Sequence, residues 1–173
     1  MVRRALGLAV NTVRLHMDPV RYFRSQGVDI GQSVEIFGAS LLTFGSEPYL
    51  VSIGDRVTIS HKVDFITHDG GLRVARAEHP DAYLYGRIQV GDDCFLGAHC
   101  ILLPGATIGS RSVIGSGAIV TGEIPSGVVA VGAPARPIQS IEEYTRRKKH
   151  LWIDTSGLTA NAKRELLRRR LLE

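Results

Sequence analysis

Residues 90–125 read VGDDCF, LGAHCI, LLPGAT, IGSRSV, IGSGAI and VTGEIP, six blocks of six residues with no gap between them. The first place of every block is aliphatic: Val90, Leu96, Leu102, Ile108, Ile114 and Val120. The fifth is small in Cys94, Cys100, Ala106, Ser112 and Ala118, before Ile124 ends the series. A helix repeats every ~3.6 residues and a strand every 2, so neither alone gives a period of six. A fixed repeat of this kind marks a stacked architecture, in which no single unit buries its apolar face and neighbouring units make the core together.

Working outward, Ile30, Ile36 and Leu42 are spaced by six, and after a one-residue slip near Pro48 the series resumes at Ile53, Ile59 and Phe65, with Val57 and Val63 at fifth places. Each block is expected to be a short strand plus a turn. Glycine follows the aliphatic residue at Gly31, Gly54, Gly91, Gly97, Gly109 and Gly115, where a corner demands backbone angles that a Cβ obstructs. Three blocks make one triangular turn, with first and fifth places pointing inward. Roughly four turns at the ~4.8 Å strand spacing give a prism of about 19 Å.

The beat stops inside FITHDGGLRVARAEHPDAYLYGRIQV, residues 65–90, and residues 70–87 have no hexapeptide order. An excursion this long in a compact domain is usually functional. It leaves from His68, which the block register puts at a fourth place, facing outward.

The ends read differently. The N-terminal MVRRALGLAVNTVRL suits an amphipathic helix better than a signal peptide, because Asn11 and Arg14 interrupt the apolar patch and no small-residue cleavage site follows. In MDPVRYFRSQG, Asp18 is an N-cap, Pro19 the first helical residue and Gly27 a stop, so a short helix plugs the first turn. Beyond Pro137 the pattern is helical, and a helix there covers the last turn's edge. The organisation expected is a helical cap over 1–29, a repeat body over 30–136 and a helical extension over 137–173.

The blocks resemble the hexapeptide repeats of the left-handed parallel β-helix acyltransferases. IGSGAIVTGEIPSGVVAVGAPARPI, residues 114–138, is similar to the end of that helix in the maltose, galactoside and xenobiotic O-acetyltransferases. The similarity covers roughly residues 18–140. It implies an all-β body built as a left-handed parallel β-helix, assembly as a homotrimer, and acetyl-CoA as donor.

Acyl transfer to a hydroxyl requires a base, and histidine suits the task because its ordinary pKa of about 6.5 leaves it neutral at pH 7. The resemblance assigns this role to His68, with direct attack on the thioester and no acyl-enzyme. The setting here is Thr67-His68-Asp69-Gly70 where galactoside and maltose members carry Gly-His-Pro, which matches better the branch acting on capsule, lipopolysaccharide and other glycan sugars. Asp69 carries two readings, a partner of His68 or of the sugar, and a turn residue before two glycines. Glu47 likewise is either an acceptor contact or a solvated turn residue. For coenzyme A the resemblance points to Ala98, Ser116 and Thr121 along the pantetheine groove and to Arg136 near the phosphates. Gly122 stands where one relative has lysine. Cys94 and Cys100 sit at inward places as packing residues. His99 ranks below His68.

The acceptor class expected is a sugar or glycan hydroxyl. The amine of an amino sugar is the nearest rival, and a non-catalytic scaffold the rival of another class. A γ-type carbonic anhydrase site is disfavoured because His61, His68 and His99 lack the family's closely spaced downstream pair, and no metal is expected. Net charge is +4, concentrated in Arg146 to Lys149 and Arg168 to Arg170. No zinc-finger or RNA-binding signature accompanies these clusters, so nucleic acid is not an expected partner. No apolar run reaches the ~20 residues of a membrane span, and two cysteines form no disulfide framework. Membrane association is not expected, and the cytoplasm is the expected compartment.

Overall fold

The computed structural model describes residues 2–172, with side chains from residue 10 onward. Most elements are strands of two or three residues, distributed over three stacked sheets and one separate two-stranded sheet. The first face stacks Asp29–Ile30, Val51–Ile53, Ile88–Val90, Thr107–Ile108 and Glu123–Ile124. The second stacks Glu35–Ile36, Thr58–Ile59, Phe95–Leu96, Val113–Ile114 and Val128–Gly132, and the third Asp64–Phe65, Ile101–Leu102 and Ile119–Val120. All these pairings are parallel, and from Val51 onward the chain visits the faces in a fixed cyclic order.

The core follows from the repeat. Ile30, Ile53, Val90 and Ile108 align with one another on the first face, Ile59, Leu96 and Ile114 on the second, and Phe65, Leu102 and Val120 on the third. All are buried, as are the fifth-place residues Val57, Val63, Cys94, Cys100, Ala106, Ser112 and Ala118. Each fully buried aliphatic side chain contributes about 1.5–3 kcal/mol.

Three local expectations are corrected. Leu42 is 77% exposed, and Phe44 takes the inward place instead, stacking on Phe65 at 4.5 Å and meeting Phe23 edge-on at 4.6 Å. The first turn is enlarged: Ile30 pairs with Ile53, whereas Val90 pairs with Ile108 eighteen residues on. The post-aliphatic glycines do not have left-handed backbone; a Cβ on Gly97 would lie 2.6 Å from the Ser116 amide of the next turn. Left-handed backbone falls at fourth places, on Ser33, Arg56, Lys62, Asp93, His99, Arg111 and Gly117, so these places are corners rather than strand.

Helix α1 spans Val2–Met17 and α2 Pro19–Ser25. Asp18 caps α2 through the Arg21 amide at 2.9 Å, Gly27 has φ +98°, and Tyr22 and Phe23 enter the core. At the other end the edge of the second face is closed by a strand, Ala135–Ser140, antiparallel to Val128–Gly132, and not by a helix. This strand runs through Pro137. Helix α3, Ile141–Lys148, follows it, then α4, Ala160–Leu171, and neither buries a residue. Among the described residues no helix is long and apolar enough to cross a membrane.

Candidate active site

The site lies where the third face turns toward the first. Ile66 still joins the ladder through its amide to Leu102 O at 2.8 Å, and then the chain leaves it. His68–Asp69 pairs antiparallel with Leu84–Tyr85, opposing His68 to Tyr85, and Gly86 closes the excursion by donating to Thr67 O at 2.9 Å. A Cβ on Gly86 would run into the backbone of Pro104 and Gly105, so glycine is required for the return. The excursion is therefore a small hairpin with a 3-10 helix over Gly70–Ala75, rooted on the core. His68 has a fourth-place number but not the corner conformation of His99.

Glu47 stands in the extra length of the first turn, just before the 3-10 turn Pro48–Leu50. Its Oε2 accepts from Thr67 Oγ1 at 2.7 Å and from His68 Nδ1 at 2.9 Å. A carboxylate can only accept, so Nδ1 carries hydrogen, and in the neutral imidazole it is Nε2 that presents a lone pair. The Thr67 hydroxyl, acting first, and the His68 bond hold the Glu47 carboxyl below the usual range against the opposing effect of burial. The Glu47 side chain is 16% exposed and that of His68 45%, which leaves the imidazole open to a substrate while its partner is sheltered.

A cleft of about 350 Å³ opens beside this pair, lined by Ser46, Glu47, His68 and Asp69 together with Arg73, Arg76, Tyr83 and Tyr85 of the excursion. Tyr85 lies 6.2 Å from His68, and Tyr83 runs parallel to Tyr85 at 6.5 Å. Arg76 covers the Tyr83 ring at 4.0 Å. Asp69 Oδ1 accepts from the Gly71 amide at 2.7 Å, the geometry of a turn residue. Thr67, Arg73, Arg76, Tyr83 and Tyr85 were not legible as site residues. The alternation Tyr83-Leu84-Tyr85 before Gly86 is the one local sign of the hairpin.

The residues expected at coenzyme A fall in three places, two corners and the terminal strand. Ala98 and Ser116 follow the second face on successive turns, where Gly117 donates to Ala98 O at 2.8 Å. Thr121 follows the third face, on the same edge as His68. Arg136 is exposed on the terminal strand and donates to Ala135 O. His61 and His99 pack edge to face at 5.6 Å on the corner below Ala98 and Ser116, apart from His68. Among the described residues no group of three histidine, cysteine or carboxylate side chains is placed to hold a metal. Burial pushes the Cys94 and Cys100 thiols up. A larger groove of about 510 Å³, between α1 and α2, is lined by Arg14, Met17, Asp18, Arg21, Tyr22 and Ser25, with Asp18 engaged in capping α2 and the Ser25 hydroxyl donating to Tyr22 O.

Three faces of short parallel strands carry a carboxylate-held histidine at an interrupted corner. Residues 79–122 match the family of bacterial transferase hexapeptides (six repeats). Over 121 residues the chain is 40% identical to Protein CapG of Staphylococcus aureus, covering 70% of each. It is 34% identical over 134 residues to the galactoside O-acetyltransferase of Escherichia coli, covering 78% of this chain and 63% of that enzyme. Among solved structures, a hexapeptide-repeat acetyltransferase of Vibrio cholerae complexed with acetyl coenzyme A aligns at TM-score 0.56 and 25% identity, covering 66% of this chain and 61% of that one. The chain belongs to the hexapeptide-repeat transferase family, and it is an acyltransferase.

Proposed function

We propose that this protein is an acetyl-CoA-dependent O-acetyltransferase that modifies a hydroxyl of a sugar or glycan, with His68 as general base. The observation that carries the reading is the Glu47–His68 pair, 2.9 Å apart, in a cleft that the excursion helps to line. The acceptor hydroxyl gives its proton to Nε2 as its oxygen attacks the thioester carbonyl. The C–S bond then breaks, and the coenzyme A thiolate recovers the proton from the imidazolium. Glu47 fixes the tautomer and stabilises the transient positive charge.

The donor runs along Ala98, Ser116 and Thr121, with Arg136 toward its phosphates, where an exposed guanidinium complements a polyanion. Ala98 and Ser116 lie across the third face from His68, so a groove joining them to the base is built between copies. That separation supports a homotrimer of left-handed coils with sites at the boundaries. Similarity to a galactoside O-acetyltransferase supports a carbohydrate acceptor. The fit is with a cytoplasmic enzyme, where acetyl-CoA is available.

The test is release of free thiol from acetyl-CoA with a panel of sugars, nucleotide sugars and oligosaccharides, with the product identified by mass. Alkaline treatment removes an O-acetyl and leaves an N-acetyl, so it decides between hydroxyl and amine acceptors. An undiminished rate in His68→Ala would sink the mechanism.

A further inference from the structure

The lining of the cleft carries charge that catalysis does not use. Glu47 is engaged by Thr67 and His68, and Asp69 by the Gly71 amide. Neither carboxylate forms an ion pair with an arginine of the excursion; the arginine ion pairs of the described residues are Arg56 with Asp55 and Asp93, and Arg111 with Glu142. The Arg76 guanidinium spends Nε on Ala82 O at 3.2 Å and sits over the Tyr83 ring, leaving its terminal nitrogens without a hydrogen-bond partner among the described residues. Arg73 lines the same cleft, and among the described residues its side chain has no hydrogen-bond or ion-pair partner. Two guanidiniums therefore enter the cleft unneutralised.

Their placement is ordered. Arg76, Tyr83, Tyr85 and His68 form a row of neighbours at 4.0, 6.5 and 6.2 Å. The base is at one end, the cation at the other, and two tyrosine rings lie between. Aromatic faces suit the apolar faces of sugar rings, while a planar guanidinium suits a carboxylate or phosphate, which it binds with paired hydrogen bonds.

Resting on the function above, we propose that the acceptor is an anionic saccharide whose carboxylate or phosphate is held by Arg73 and Arg76 while the hydroxyl to be acetylated reaches His68. Arg73 and Arg76 are then specificity-determining residues of the acceptor subsite. Tyr83 and Tyr85 carry the sugar between the two ends.

Matched acceptors test this: glucose against glucuronate for the carboxylate, and N-acetylglucosamine against its 1-phosphate and its uridine diphosphate form for the phosphate. Both turnover and equilibrium binding are measured. At least one anionic partner is expected to exceed its neutral match by about tenfold or more in kcat/KM, with an advantage that shrinks as salt rises. Arg73→Gln and Arg76→Gln are expected to raise KM for that acceptor by about ten- to a hundredfold with a smaller effect on its neutral match, and Arg73→Lys to recover part of the loss. Circular dichroism of each variant separates these effects from misfolding. Equal use of neutral and anionic acceptors overturns the proposal, as does a rise in KM for acetyl-CoA matching that for the acceptor, which assigns the arginines to the donor. If no acceptor turns over but an anionic sugar binds in an Arg73-dependent manner, the acetyltransfer reading fails while the anion subsite stands. Loss of both turnover and binding overturns both.

Discussion

Replacing Glu47 by glutamine removes one charge and almost no volume. The Gln carbonyl can still accept from Thr67 Oγ1 and His68 Nδ1, which lie 2.7 and 2.9 Å from Oε2 in the native protein, so the tautomer survives. What is lost is the charge that stabilises the imidazolium. A hydrogen bond to a charged group contributes about 1.5–3 kcal/mol and a neutral one about 0.5–1.5, a difference near 1–1.5 kcal/mol or roughly tenfold in rate. Glu47→Gln should lower kcat about tenfold with acceptor KM little changed and with near-native melting. Glu47→Ala should do more. It frees the imidazole to rotate and leaves the fully buried Thr67 hydroxyl without its partner, so kcat falls toward the ~10²–10⁴-fold loss typical of a missing general base, and stability falls by about 1–3 kcal/mol. Thiol release gives kcat and KM, and thermal denaturation gives stability. A kcat within twofold of native in both variants refutes the positioning role. A loss confined to acceptor KM moves Glu47 from holding the base to holding the sugar.

Thr67→Val should weaken the depression of the Glu47 pKa, since that hydroxyl is its leading cause. A lowered carboxyl pKa contributes stability above its unfolded value and loses it as pH falls through the folded value, so native protein should lose more stability than Thr67→Val between neutral pH and below the ordinary carboxylate range, read by urea titration at each pH. Phe44→Ala should cost about 3–5 kcal/mol in the same assay, whereas Leu42→Ala should stay within about 0.5. Gly97→Ala forces a Cβ against the Ser116 amide and should cost about 1–3 kcal/mol; Gly117→Ala meets no atom and pays only for its φ of +72°, about 1 kcal/mol. Cys94 and Cys100 should resist a thiol reagent in native protein and react on unfolding.

The inward residues were legible because a period of six fixes the phase of a buried face wherever it runs unbroken. Phase is all that such a count sees. The first turn carries five residues beyond eighteen, which in a six-residue rhythm is indistinguishable from one residue missing, so a bulging turn passed for a slip and Leu42 was given the place that Phe44 fills. Alternation was carried too far for a similar reason. Strands of two residues end before the fourth place, where Asp93, His99 and Arg111 turn the chain with φ of 56–61°. Asp93 and His99 are residue types that favour such a corner, but Arg56, Lys62 and Arg111 are not, so the corners share no side-chain signature. The glycines were noticed for the wrong cause, since what Gly97 relieves is the nearness of the next turn and not its own torsion.

The same distinction governs the site. His68 stood out because the beat fails beside it, but its chemistry depends on two contacts that periodicity does not encode. Glu47 reaches it only because the enlarged first turn lifts that residue to the level of Thr67, and Tyr85 opposes it only because the excursion closes as a hairpin. Both come from departures from the repeat. A regular turn of this fold offers short strands, small corners and little to bind with. The two insertions supply the carboxylate that fixes the base and the arginines and tyrosines that line the cleft beside it. Specificity should therefore follow the length and composition of those insertions while the stacked strands change little. Shortening the excursion between Gly70 and Tyr83 should abolish acceptor selectivity before it disturbs the core, because its described side chains contribute none of the buried residues.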